Sequence, residues 1–142
     1  MPSVLKIKKL DIDAKIPSYA HPGDAGLDLF ALIDVTIPAI SKITIGTGIA
    51  MEIPNGMVGL VWDKSGLAVN SGLKTMAGVV DSGYRGEVLV CLMNLSKKKH
   101  VFKKGDKIAQ MIIQKKETVS IKEVKELSDT RRGKGGFGST GK

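Results

Sequence analysis

Apolar and polar residues alternate with a period of two along much of this chain. Val4–Leu10, Ile43–Ile49 and Thr118–Lys122 read as strands with one buried face. Met57–Trp62, Glu87–Leu95 and Ile108–Ile113 are more continuously apolar, the pattern of strands buried on both faces. Turn-forming pairs fall between these runs: Pro22-Gly23, Asn55-Gly56, Ser71-Gly72, Ser82-Gly83 and Gly105-Asp106. Only Ser65–Ser71 offers a turn or two of helix, and no segment repeats. Many short strands at close spacing predict an all-β sandwich, jelly roll or barrel. After Leu127 the periodicity stops, and Arg131–Lys142 carries one large apolar side chain, as a flexible terminus does.

Length and composition narrow the class. The chain has 142 residues, enough for one domain, with 42% hydrophobic and 25% charged residues, the balance of a globular protein. A single cysteine, Cys91, excludes an internal disulfide framework and a multi-cysteine metal site. No apolar run approaches a bilayer span, and the charged start is no signal-peptide core, so a cytoplasmic location is expected. The charge is uneven: residues 1–96 hold 8 Lys/Arg against 9 Asp/Glu, and residues 97–142 hold 14 against 5. A basic last third suits a polyanionic partner or a solvated lysine-rich face.

Covalent catalysis has no candidate. His21 and His100 are isolated, and Cys91 lies inside an apolar run where a small buried side chain fits. Gly136–Gly141 satisfies the dinucleotide pattern and Gly136–Lys142 the start of the P-loop pattern, but neither is followed by the helix those patterns need. The local chemistry remains: consecutive glycines expose backbone N–H groups to phosphate oxygens, with Ser139 and Thr140 as hydroxyl donors. Asp28 and Asp81 each sit where an apolar run meets a turn. Either is a turn cap or a working carboxylate.

Five segments in order resemble the motifs of the trimeric dUTPase family. They are Ala25-Gly-Leu-Asp-Leu29, Lys64-Ser-Gly-Leu-Ala68, Ala77-Gly-Val-Val-Asp-Ser-Gly-Tyr-Arg-Gly-Glu87, Gly105-Asp-Lys-Ile-Ala-Gln-Met-Ile112 and Arg132-Gly-Lys-Gly-Gly-Phe-Gly-Ser-Thr-Gly141. The resemblance implies a distorted jelly-roll subunit over residues 1–130. A Gly-rich arm, 131–142, would close over a neighbouring subunit's site. It also implies a homotrimer with three sites at subunit interfaces. Each site would take its first, second and fourth motifs from one subunit, its third from another and its tail from the third. The implied reaction is dUTP + water → dUMP + pyrophosphate, with Mg²⁺ on the triphosphate. This keeps uracil out of DNA and supplies dUMP for dTMP synthesis.

The resemblance also implies roles. Asp81 would deprotonate the water that attacks the α-phosphorus, a task suited to a carboxylate within hydrogen-bond reach. Tyr84 would press its ring on the deoxyribose and exclude a 2′-hydroxyl. A backbone hairpin containing Thr75, Gly78, Val79 and Val80 would read uracil. Ser65 and Gly66 would donate to the α/β bridge, where charge accumulates. Gln110 would place water or phosphate, and Asp28 would hold Mg²⁺-bound waters. Phe137 would lie over uracil, while Arg132, Gly138, Ser139 and Thr140 would close on the γ-phosphate. The second motif usually has Arg before Ser-Gly; here Lys64 keeps the charge and lacks the planar fork. Asp63 would pair with Lys64 or with a neighbouring arginine.

Two other readings fit parts of the chain. A dCTP deaminase shares the fold but normally lacks an Arg-Gly-x-Gly-Gly-Phe-Gly tail. A nucleic-acid-binding module would use the basic third, yet aromatics are only 4% of residues, too few for stacking platforms. No membrane and no stable nucleic-acid partner are expected.

Overall fold

The computed structural model describes residues 3–141. Lys142, which ends the P-loop-like run and the expected arm, lies outside the described residues. Ten strands and one helix follow in order: β1 (Lys6–Lys9), β2 (Leu27–Phe30), β3 (Val35–Ile37), β4 (Ser41–Glu52), β5 (Met57–Trp62), α1 (Ser65–Ser71), β6 (Leu73–Met76), β7 (Val79–Asp81), β8 (Glu87–Asn94), β9 (His100–Phe102) and β10 (Lys107–Lys115). All named pairings are antiparallel. One sheet runs β1-β4-β8-β6, a second β2-β10-β5-β7, and β3-β9 forms a two-stranded pair. The strand pattern predicts an all-β sandwich, jelly roll or barrel, and the resemblance implies the jelly roll; the antiparallel sheets agree with both. No helix among the described residues is long and apolar enough to cross a membrane.

The core lies between the two larger sheets. Leu29 and Ile49 come from opposite sheets, and Ile37 comes from the β3-β9 pair; all three are 0% exposed. Each such side chain contributes roughly 1.5–3 kcal/mol relative to exposure. β4 bends where its register with β8 shifts between Gly46 and Ala50. Gly48 sits there at φ +68°, and a Cβ would come within 2.9 Å of Leu32 and 3.0 Å of Ala14. The bulge therefore needs glycine for conformation and for space.

Two strand expectations are corrected. The apolar runs are not buried on both faces: in β8, Val88, Val90 and Leu92 point into the core, while Leu89 is exposed and Cys91 and Met93 are half-buried. Pleating sends alternate residues to opposite faces, and this chain covers only one face of β8. Thr118–Lys122 is not a strand. Its alternation is real, but after β10 ends no ladder partner among the described residues receives it, and Val119 and Ile121 stand exposed. Residues 116–141 contain neither helix nor strand.

Candidate active site

Asp28, on β2, is an aspartate with almost no exposed surface (2%). Its Oδ1 accepts from Lys64 Nζ at 2.5 Å, and its Oδ2 lies 3.0 Å from Lys107 Nζ. Burial pushes the carboxyl up, but the hydrogen bonds from Lys64 and Lys107 outweigh it and hold it below the ordinary aspartate range. Lys64 stands at the N-cap position of α1 without a side-chain cap, its ammonium on Asp28, and the helix presents Ser65 and Gly66. A Cβ on Gly66 would meet nothing inside the chain, so packing does not demand glycine there and space remains for a ligand. Lys64, Gly66 and Lys107 line a cleft of about 410 Å³.

Asp63 pairs with neither Lys64 nor an arginine. Its Oδ1 accepts from the Thr75 amide at 2.6 Å and the Thr75 hydroxyl at 2.8 Å, and its Oδ2 accepts from Lys74 Nζ at 2.7 Å. The Asp63 carbonyl accepts from Gln110 Nε2 at 2.8 Å. One residue thus ties β5, β6 and β10 together beside the Lys64–Ser65 loop. Burial raises the Asp63 carboxyl, while Lys74 and Thr75 lower it further, leaving it below its ordinary value.

Thr75, Gly78, Val79 and Val80 do form a turn, though not a hairpin closed by its own ladder. β6 pairs with β8 and β7 with β5, so the two arms belong to different sheets. Ala77 and Gly78 bridge them at φ +59° and +110°. A Cβ on Gly78 would lie 2.9 Å from Val61, so only glycine lets this turn press on β5. Between the arms lies a cleft of about 240 Å³ bordered by Trp62, Lys74, Thr75, Gly78 and Val79.

Asp81 ends β7 opposite Val58 and is exposed. Tyr84 follows a tight turn, its hydroxyl donating to the Glu87 carbonyl at 2.8 Å. Its ring folds over Gly86, where a Cβ would lie 2.5 Å from the phenol oxygen. Three contacts lay this segment antiparallel along β5: Thr75 beside Asp63, Gly78 beside Val61, Asp81 beside Val58. Five residues of extended chain from Val58 to Asp63 span about 16 Å. Asp81 and the Lys64–Ser65 loop therefore stand at opposite ends of β5, and no single phosphorus reaches both within one chain.

The tail keeps to itself. Arg132 Nε donates to the Gly135 carbonyl at 2.8 Å, short turns link Thr130 to Gly141, and Phe137 is fully exposed. Arg132, Phe137, Gly138, Ser139 and Thr140 lie together but are not gathered against Asp28, Lys64 or Asp81 in one chain.

The dUTPase family model matches residues 13–141. The chain belongs to the dUTPase family. The deoxyuridine 5′-triphosphate nucleotidohydrolase of Rhodococcus erythropolis is 48% identical over 140 residues, covering 96% of this chain and 85% of that protein. That of Clostridium kluyveri is 48% identical over 139 residues, covering 96% and 97%. The dUTPase of Staphylococcus bacteriophage 80alpha, solved with dUpNHpp, superposes with a TM-score of 0.88 at 31% identity, covering 99% of each chain. A phage phi11 dUTPase, solved to describe coordination of a structural Mg(II) ion, superposes at 0.81 with 27% identity, covering 87% of this chain and 98% of that one.

On this dUTPase, motif residues account for Asp28, Lys64, Gln110 and Asp81; Lys107 lies in the fourth motif without an expected role, and Lys74 lies outside all five. Their partners lie far away in sequence, and only the sheet registers bring them in. The donor set does not fit a resident Mg²⁺. Among the described residues no three His, Cys, Asp or Glu side chains cluster, and both Asp28 oxygens are taken by lysines. Each Asp28 oxygen holds a lysine and the residue is almost fully buried, so a Mg²⁺-bound water would have to share those oxygens.

Proposed function

We propose that this dUTPase hydrolyses dUTP to dUMP and pyrophosphate at sites assembled between three copies of the chain. The separation of Asp81 from the Lys64–Ser65 loop along β5 is the observation that carries this reading. Both are polar, ligand-accessible ends, and only a second copy can bring one to the other. The outward apolar face of β8, with Leu89 exposed, supports such packing.

In this reading the substrate is Mg²⁺–dUTP, the ion carried on the phosphates and neutralising part of their charge. The cleft beside Gly78 takes uracil, where backbone groups of Thr75, Gly78, Val79 and Val80, other than the Thr75 amide that Asp63 holds, read its edge and a 5-methyl group has no room. Tyr84, pinned through its hydroxyl to Glu87, keeps its ring against the sugar where a 2′-hydroxyl would project. Asp81 accepts a proton from water as that water attacks the α-phosphorus. The bond from the α-phosphorus to the α/β bridging oxygen breaks, and pyrophosphate leaves. Ser65, Gly66 and Lys64 from another copy meet the charge that develops there. Gln110 holds the loop through the Asp63 carbonyl and uses its other N–H for water or phosphate. The third copy's tail supplies Arg132, Gly138, Ser139 and Thr140 to the γ-phosphate and Phe137 to the base. The enzyme then works in the cytoplasm on the deoxynucleotide pool.

The test is pyrophosphate release from dUTP, UTP, dTTP and dCTP with Mg²⁺. Turnover confined largely to dUTP is expected. Equal use of UTP removes the role given to Tyr84, and preference for dCTP overturns the substrate assignment.

A further inference from the structure

None of the roles above falls to Lys107, although it shares a buried carboxylate with Lys64. A guanidinium grips two oxygens with a planar fork, whereas one ammonium is a single point of charge. Where the family's second motif usually has Arg, this chain has Lys64, and a lone lysine there makes a one-point contact. A lysine paired one-to-one with Asp28 would also be neutralised by it. The structure supplies a second cation. The register of β10 against β2 shifts between Lys107 and Ala109, and this bulge turns Lys107 toward Asp28, whose direct register partner is Gln110. One ammonium then sits on each Asp28 oxygen, so the cluster keeps a net positive charge. Both lysines border the same cleft as Gly66. Each ammonium has three N–H donors and uses one on Asp28.

We propose that Lys64 and Lys107, held on the two oxygens of Asp28, together make the two-point phosphate grip that one arginine would make. Lys107 is thus a further binding residue for the triphosphate, and Asp28 is the positioning residue that spaces the pair. This rests on the dUTP reading above.

Four full-length proteins decide it: the parent, Lys64→Arg, Lys107→Met and the double variant. Kinetics use Mg²⁺–dUTP, and calorimetry uses dUpNHpp and dUMP. In the Lys64 background, Lys107→Met should raise KM and the dUpNHpp dissociation constant about tenfold or more, the effect of one lost charge-assisted contact. In the Lys64→Arg background the same change should cost less than about threefold, because the fork covers the second point. Affinity for dUMP should change little in either background. An equal cost in both backgrounds, or equal losses for dUpNHpp and dUMP, would mean that Lys107 only neutralises Asp28, and would overturn the proposal. So would no cost in the parent background. If Lys107→Met fails to fold, Lys107→Gln carries the same comparison. A parent that binds dUpNHpp but does not turn over dUTP contradicts the functional reading instead, leaving the calorimetric comparison to judge the lysine pair.

Discussion

The Asp63 carboxylate accepts both the amide and the hydroxyl of Thr75, at 2.6 and 2.8 Å, and so joins the Lys64–Ser65 loop to the turn that follows β6. Thr75 is buried, so removing its acceptor leaves polar groups without a partner. Asp63→Ala is expected to cost about 1–3 kcal/mol of stability and to raise KM for dUTP. Asp63→Asn keeps an acceptor for the amide and should cost less. Urea unfolding and steady-state kinetics on both variants check the order.

Asp28 gives a pH signature. Its folded-state pKa lies below the ordinary aspartate value of 3.8, because the two lysine contacts outweigh burial. A depressed pKa contributes stability that is fully present above the unfolded value and is lost as pH falls through the folded value. The stability difference between the parent and Asp28→Asn should therefore be constant near neutrality and shift against the parent between about pH 5 and pH 2. Urea midpoints across that range test it; a flat difference contradicts the ion-pair account.

Asp81→Asn is expected to lower kcat by about 10²–10⁴-fold, since the amide cannot accept the proton of water. Binding of dUpNHpp and the assembly mass should be retained. A kcat close to the parent's would assign the base elsewhere.

Deleting residues 131–142 should leave the assembly folded, because the described part of this stretch, exposed apart from the half-buried Gly135 and Gly136, adds nothing to the core. Turnover should drop by more than about tenfold through loss of closure over the triphosphate. Preference for dUpNHpp over dUMP should fall with it. Light scattering, kcat and the two affinities on one sample report all three.

The longer strands and α1 were legible in the sequence, because six or more residues of β5, β8 and β10 carry a readable pattern. β2, β3, β6, β7 and β9 have only three or four residues each, too few for a period. Thr118–Lys122 shows the opposite failure: its period is that of a strand, but a strand exists only where a partner accepts its ladder. Site residues were legible as motifs, whereas their connections were not. The partner of Asp63 stayed open because Thr75 and Lys74 reach it through the path of β6. Asn94 is similar. Its buried amide donates to the Ile37, Pro38 and Lys98 carbonyls and anchors the Lys97–Lys99 turn, a role no local pattern signals.

The shared site is tested most directly by mixing two inactive proteins. One carries Asp81→Asn, the other Lys64→Met with Ser65→Ala, and the subunits are exchanged at equal ratio before dUTP turnover is measured. If Asp81 of one copy works with the Lys64–Ser65 loop of another, every mixed trimer gains one intact site, and activity rises to about a quarter of the parent's. If each chain held its own complete site, the mixture would show only the average of the two inactive proteins, and the account would be contradicted.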